Sequence, residues 1–388
     1  MDFRLSDERV RFQESVRRFA ERHMKDGALK RAHEPGFPWD IARLMAKQGL
    51  LGITIPEADG GQGGAFMDAI VAIEQVAQAC PRSADVVQAG NFGPIRTLSQ
   101  YGSKDQKARF LPPLLAGEGL IAVAMSEPEA GSAVTDLKTA AVPDGDGFRV
   151  SGSKVFTTHS ADATLFLTYV RFGPGIDGIG SVLIERDAGG LSFGVSSRYM
   201  NGEEWHALYL DNVYVPPANV LLGQGGFRKQ IAAFNAERLG NAARALALGR
   251  CAFNLARGHA LTRRQFGRAL CEFQGLQWKF ADMQMMLDAG QLLLYRAATN
   301  VENGLPPAQE TAIAKAFCNQ AGFDICDQAL QVMGAAGYTQ DSLVEYCFRK
   351  TRGWMIAGGS VEMMKNRIAE GVFGRRFPQR PRTARADE

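Results

Sequence analysis

Five short segments carry residue types able to do chemistry. Phe234-Asn235-Ala236-Glu237-Arg238 sets a carboxylate beside a guanidinium in a stretch otherwise rich in Ala, Leu and Gly. Adjacent residues on a helix point in different directions, so a buried face here would put Glu237 or Arg238 to a specific use; a solvated rim pair fits the spacing equally well. Lys154-Val155-Phe156-Thr157-Thr158-His159 spaces an aromatic ring two residues from a hydroxyl, Phe156 from Thr158. On a strand these share a face, where a ring can stack on a flat ligand beside a hydrogen-bonding Thr; a core Phe beside a surface Thr is the commoner arrangement. Ala124 to Ser132 offers backbone N–H groups and the hydroxyls of Ser126 and Ser132, suited to an anionic or amide-edged ligand or to a plain strand-to-turn connection.

Arg263-Arg264-Gln265-Phe266-Gly267 supplies guanidinium groups shaped for phosphate, although such a junction is often only solvated. Ile356 to Glu362 sets Gly358 and Gly359 before Ser360, which gives a close backbone approach, an N-cap and a helix start that attracts anions. The five histidines lack ligand spacing and the six cysteines form no C-x-x-C pair. A metal site is not expected, and the cysteines read as buried free thiols of a reducing compartment.

These segments sit in a chain whose periodicity changes twice. Residues 1–118 read helical: Ser6 followed by Asp7 and Glu8 is an N-cap with acids in the first turn, and Val16, Phe19, Ala20 and Met24 share one helical face. Gly60 to Gly64 is expected to be a flexible loop, after which helices are expected from Asp68 to Ala79 and from Lys104 to Leu115. Residues 119–222 turn to short β-type runs: Phe148–Gly152, Thr164–Val170, Ser181–Glu185 and Leu208–Val215, with Asp144-Gly145-Asp146-Gly147 as a hairpin turn. Residues 223–377 are helical again: Leu276, Phe280, Met283, Leu287 and Leu294 repeat at helical spacing, Pro306-Pro307 opens another helix and Gly334 to Gly337 breaks it. Residues 378–388 read as a basic, disordered tail.

The 388 residues suit two or three domains, and their 22% charged and 46% hydrophobic content fits a globular chain. The net charge of +3 is matched by the stretch Arg375–Glu388, with five Arg against one Asp and one Glu. The remainder is neutral, which argues against a nucleic-acid partner. No apolar run approaches the roughly 20 residues of a bilayer span. The charged start, without a signal core, leads to the expectation of a cytoplasmic protein.

Taken together, Met125-Ser126-Glu127-Pro128…Ala130-Gly131-Ser132, Arg263…Gln265-Phe266-Gly267, Gln331-Val332-Met333-Gly334…Gly337-Tyr338 and Gly359-Ser360…Glu362 resemble the flavin-dependent acyl-CoA dehydrogenase family, from Leu5 to about Phe377. The resemblance implies an α+β fold: an N-terminal helical domain, a middle β-barrel or sandwich domain and a C-terminal four-helix bundle around one FAD. It implies flavin-ring contacts from Met125, Ser126, Phe156 and Thr158. It implies further cofactor contacts from Arg263, Gln265, Phe266, Gln274, Gln331, Gly334, Ala335, Ser360 and Glu362, some reaching a neighbouring subunit of a homotetramer. Ser132, Asn235 and Arg238 would meet the substrate, an acyl-CoA or carrier-protein thioester, and an electron-transfer flavoprotein or similar acceptor would take the electrons.

The reaction so implied is α,β-dehydrogenation, in which a base takes the α-proton and a hydride passes from Cβ to flavin N5. Most members place the base directly before the Gly of the last motif. Here that position is Gly358, which has no side chain but keeps an N–H for the thioester oxygen. A branch of the family carries its acid on an earlier helix, at the position of Glu237, and Glu237 is therefore expected to be the base. Gly358, and Ala133 after Gly131-Ser132, are shared with a desulfinase branch acting on 3-sulfinopropionyl-CoA. That branch has Gln at the position of Glu237 and Arg where this chain has Asp85. Desulfination, enoyl-CoA reduction and a catalytically silent flavoprotein subunit are the alternatives. The acyl-pocket floor is expected between residues 80 and 100, where Asp85, Gln88, Asn91 and Phe92 hint at a short or functionalised acyl group.

Overall fold

Ser6 opens the first helix by accepting the Arg9 N–H, and Ser103 and Gln106 close a reciprocal capping box farther along. The computed structural model describes residues 4–379, so the expected tail beyond Gln379 falls outside the described residues. Seven helices form the N-terminal part: α1 (Asp7–Met24), α2 (Ala28–His33), α3 (Trp39–Lys47), α4 (Phe66–Ala79), α5 (Ala84–Asn91), α6 (Gly93–Tyr101) and α7 (Lys104–Leu115). Val16, Ala20 and Met24 are buried on the face expected of α1.

The Gly60–Gly64 segment departs from expectation. It is pinned by backbone bonds from Gln62 N to Gly52 O, Gly63 N to Ile55 O and Gly64 N to Ile53 O. Glycine content signalled freedom, but here it permits close packing onto the preceding turn.

The middle part is a mixed sheet. Its strands are β1 (Ile121–Ala124), β2 (Ala140–Asp144), β3 (Gly147–Thr158), β4 (Leu165–Arg171), β5 (Ile179–Glu185), β6 (Leu191–Phe193), β7 (Ser197–Arg198), β8 (Glu204–Val215) and β9 (Val220–Leu222). The order is β6-β8-β3-β2-β4-β5-β9, with β1 parallel to β4 and β7 paired to β8. The β2–β3 hairpin turns at Gly145, whose φ of 60° suits the expected tight turn. Opposite β8, Lys154 faces Leu208 and Thr157 faces His206, so one extra residue bulges from β3.

The C-terminal part begins with the long α8 (Phe227–Thr262), followed by a small hairpin, β10 (Arg264–Gln265) with β11 (Arg268–Ala269). Then come α9 (Gln274–Thr299), α10 (Ala308–Met333), α11 (Ala335–Tyr338), α12 (Leu343–Trp354) and α13 (Val361–Phe373). Alanine favours helix, and the small residues let α8 and α10 approach closely: a Cβ on Gly322 would lie 2.3 Å from the Ala245 carbonyl oxygen. One apolar core, from Val16 through Leu239 to Trp354, joins the N-terminal helices to the bundle, while the sheet has its own core around Val150, Phe166 and Val213. Helix α8 is thus held on several sides, and the functional residues it carries have fixed positions.

Candidate active site

Glu237 lies on the face of α8 that meets α5 and the start of α6. Gln88 Nε2 donates to Glu237 Oε2 at 2.9 Å. A Cβ on Gly93 would come within 2.3 Å of the same oxygen, so glycine, at φ 63°, leaves the room the carboxylate occupies. Glu237 keeps part of its surface exposed but is closely surrounded by protein elsewhere. Burial raises its pKa above the ordinary carboxylate value; the Arg244 charge and hydrogen bonds from Gln88 and Asn241 oppose that rise, and Asp85 adds to it. The result is an acid that holds its proton more tightly than a solvent-exposed carboxylate, as a general base requires.

Opposite stands the turn between α12 and α13. Arg238 Nε donates to Gly358 O at 3.1 Å, and its Nη1 donates to Asn235 Oδ1 at 3.0 Å. Burial pushes the Arg238 guanidinium down to about 10. Lys315 Nζ donates to Trp354 O at 3.1 Å and to Gly359 O, and Asn319 Nδ2 donates to Trp354 O at 2.6 Å. Three side chains therefore grip the carbonyls of this turn. Gly358, at φ 72°, takes a conformation disfavoured for other residues. Ser360 caps α13 by accepting the Met363 N–H, and Glu362 sits exposed in its first turn.

The β wall brings together the residues expected to meet a flat ring. Val155 N donates to Ser126 O at 2.9 Å, which ties the Met125-Ser126 segment to β3. The bulge and a φ of 56° turn Phe156 outward, 59% exposed, with its ring centroid 4.6 Å from that of Trp205. Tyr199 hydrogen-bonds Thr158 and stacks on Trp205. Behind this surface Lys154 Nζ, fully buried, donates to Glu127 Oε1 at 2.7 Å and to Met125 O at 3.3 Å. Glu127 also accepts from the Thr139 N–H and hydroxyl, and its pKa falls below the ordinary value because these donors outweigh the cost of burial. The buried ion pair fixes the Met125-Ser126 loop. His159, enclosed and edge-on to Phe37, is pushed down to about 3 by burial and by the Arg82 charge, so it stays neutral.

The other expected cofactor residues stand apart. Arg263 caps the end of α8, and Gln265 and Phe266 belong to the β10–β11 hairpin, Phe266 being 94% exposed at φ 50°. Gln274 starts α9, Gln331 lies in the exposed last turn of α10, Gly334 is its C-cap and Ala335, also exposed, opens α11. Among the described residues, none of these hydrogen-bonds to the Met125–Ser126 or Phe156–Thr158 segments. Ser132 is exposed on the loop after β1. An outward aromatic shelf edged by Ser126 and Thr158, with guanidinium and amide groups elsewhere on the surface, fits an isoalloxazine ring and a pyrophosphate.

Sequence reasoning did not identify a buried charge cluster beside Glu237. Asp85 receives Arg82 Nη1 at 2.9 Å, Arg244 Nη1 at 2.7 Å and Lys350 Nζ at 2.7 Å. Glu203 from the β domain receives Lys350 at 2.6 Å and Arg82 as well. Three cations thus share two carboxylates across three domains, and Asp85 is held well below its ordinary pKa by those cations, despite burial. Asn241 and Arg244 lie four and seven residues past Glu237, a helical spacing that was visible in the sequence.

An enclosed acid on α8 and a flat aromatic shelf on the sheet are the parts that oxidation of a carbon–carbon bond next to an activated carbonyl requires. The helix–sheet–helix order around them is that of flavin-dependent CH–CH oxidoreductases. Sequence models of the acyl-CoA dehydrogenase N-terminal, middle and C-terminal domains match residues 6–118, 122–213 and 224–373. The chain belongs to the acyl-CoA dehydrogenase family, and it is an oxidoreductase of that kind with FAD as cofactor. It is 31% identical to a 3-sulfinopropanoyl-CoA desulfinase of Paraburkholderia xenovorans, over 97% of this chain and 99% of the relative. It is 32% identical to a short-chain specific acyl-CoA dehydrogenase of Clostridium acetobutylicum, over 96% and 100%. A glutaryl-coenzyme A dehydrogenase in complex with glutaryl-CoA superposes with a TM-score of 0.92 at 28% identity, covering 98% of each chain.

Proposed function

We propose that this enzyme carries out α,β-dehydrogenation of a short acyl-CoA, with Glu237 as the base that takes the α-proton. The observation that carries the reading is the enclosed, raised-pKa carboxylate of Glu237, held by Gln88 and facing a turn whose residue 358 has no side chain. Bound FAD supplies the hydride acceptor. Met125, Ser126, Phe156 and Thr158 would hold its ring, and Arg263, Gln265, Phe266, Gln274, Gln331, Gly334, Ala335, Ser360 and Glu362 the remainder, in part across subunits. Gly358 N–H has no partner among the described residues and would bind the thioester oxygen as negative charge develops there. Arg238, Lys315 and Asn319 hold that turn still. Ser132, Asn235 and Arg238 remain the substrate contacts of this reading.

The acyl group is proposed to be short. Arg244 is seven residues beyond Glu237, roughly 10 Å along α8. An alkyl chain of that reach would press methylenes against the charges of a buried ion cluster. The exposed apolar side chains Trp278, Met285 and Leu292, spaced by seven on α9, support assembly into a homotetramer. An electron-transfer flavoprotein is the proposed acceptor, CoA is favoured over a carrier protein, and the proposed compartment is the cytoplasm. No helix among the described residues is long and apolar enough to cross a membrane.

A second reading, loss of sulfite from a sulfinated acyl-CoA, is favoured by the desulfinase relative and by the three buried cations. The deciding experiment is anaerobic addition of butyryl-, octanoyl- and 3-sulfinopropanoyl-CoA to the purified holoenzyme. The proposal predicts loss of the oxidised-flavin absorbance with butyryl-CoA and a far weaker response to octanoyl-CoA. Sulfite release from the sulfinated substrate without an acceptor, together with an unbleached flavin under butyryl-CoA, would replace it with the second reading.

A further inference from the structure

Asn241 lies one turn beyond Glu237 on the same face of α8, and its amide has only one workable orientation. Arg244 Nη2 donates to Asn241 Oδ1 at 2.6 Å. Arg244 is itself fixed by Asp85 at 2.7 Å and lies over the Trp354 ring, its guanidinium carbon 4.6 Å from the ring centroid. A guanidinium only donates, so the Asn241 oxygen must face Arg244 and the NH2 must face away. That NH2 meets two neighbours. One is the Glu237 carboxylate, whose charged form it favours from one helical turn away. The other is the turn at Gly358, where a Cβ would lie 2.7 Å from Asn241 Nδ2; the next nearest atom, 3.9 Å away, also belongs to Asn241.

We propose that Asn241 is the positioning residue of the proton-abstracting acid: it fills the room that a side chain at position 358 would need, and it steers the Glu237 carboxylate through its N–H. The inference rests on Glu237 being the base. It links the two departures of this site, since an acid on α8 and an amide beside residue 358 are compatible only when residue 358 lacks a Cβ. The relay runs Asp85–Arg244–Asn241–Glu237, its polarity set by the guanidinium. The charged groups around it are Asp85 after the α4–α5 turn, Arg238 and Arg244 on α8, Lys350 on α12, Arg82 before α5 and Glu203 from the sheet. Arg244 lowers the proton affinity of Glu237 and Asp85 raises it.

The test uses the holoenzymes of Asn241→Ala, Gly358→Ala and the double variant, with flavin reduction by acyl-CoA followed anaerobically across pH. Asn241→Ala should keep its flavin spectrum and its acyl-CoA binding. Loss of a donor to the carboxylate should move the pH limb of flavin reduction upward, with a rate about tenfold lower on the acid side. A purely structural role would lower the rate at every pH without moving the limb. The positive φ at Gly358 strains any substituent in both backgrounds and cancels in the double-mutant cycle. Only the clash with Asn241 remains, so Gly358→Ala should be less damaging when residue 241 is Ala. An unmoved limb together with additive effects would overturn the inference while leaving Glu237 as base, provided Glu237→Gln is inactive. A Glu237→Gln variant that still bleaches would overturn both.

Discussion

Replacing Glu237 by Gln removes the proposed proton acceptor with little change in shape. Gln88 Oε1 is buried without a partner among the described residues, so it can accept from the new amide and the wall should persist. A positioned general base contributes about 10² to 10⁴ in rate, or roughly 3 to 5 kcal/mol of barrier. The variant should therefore bleach its flavin at least a hundredfold more slowly under saturating acyl-CoA in an anaerobic stopped-flow experiment. Stability should move the other way. An acid whose pKa is raised by folding weakens the fold as pH climbs through and above its unfolded value, and the amide has no such liability. At neutral pH the variant should melt no lower than the wild type. Bleaching within tenfold of wild type would refute the assignment. A lowered Tm or lost flavin would refute the claim that the wall tolerates the exchange.

Because burial raises Glu237, flavin reduction should increase with pH through a limb above the ordinary carboxylate range, and a limb near 4.5 would contradict the enclosure described. Glu127→Gln leaves Lys154 buried without a carboxylate and should cost about 3 to 5 kcal/mol, read as a lower Tm and weaker FAD retention. Asp85→Asn strips a shared anion from three buried cations and should lower stability by a similar amount, about 3 to 5 kcal/mol. Asp85 is held below its ordinary pKa of 3.8, so its contribution is present above that value and fades as pH falls below it. Acid denaturation curves should show that loss in the wild type and a flatter response in Asp85→Asn.

The two changes of period along the chain made the three-part architecture legible, because helix and strand patterns repeat over many residues. Local spacing left Glu237 undecided between a rim pair and a functional acid, and family resemblance with the missing side chain at position 358 singled it out. Asn241 and Arg244 were within reach of the same helical spacing but lay hidden in an Ala-rich helix buried on most sides. Their partners escaped for a different reason. Asp85 and Glu203 come from other domains, and no periodicity along one element reports a contact across three. The Phe156 bulge depends on pairing with β8, some fifty residues away, and the Gly60–Gly64 turn shows that composition cannot tell a loose loop from a closely packed one.

The most direct test of the central claim separates proton removal from oxidation. Acetyl-CoA has exchangeable α-hydrogens and no β-carbon to oxidise. Incubated with the holoenzyme in deuterated water and followed by NMR, it should gain deuterium at the α-carbon with wild type and at least a hundredfold more slowly with Glu237→Gln, about the lower bound for loss of a general base. Equal exchange by the two proteins would show that another group takes the proton.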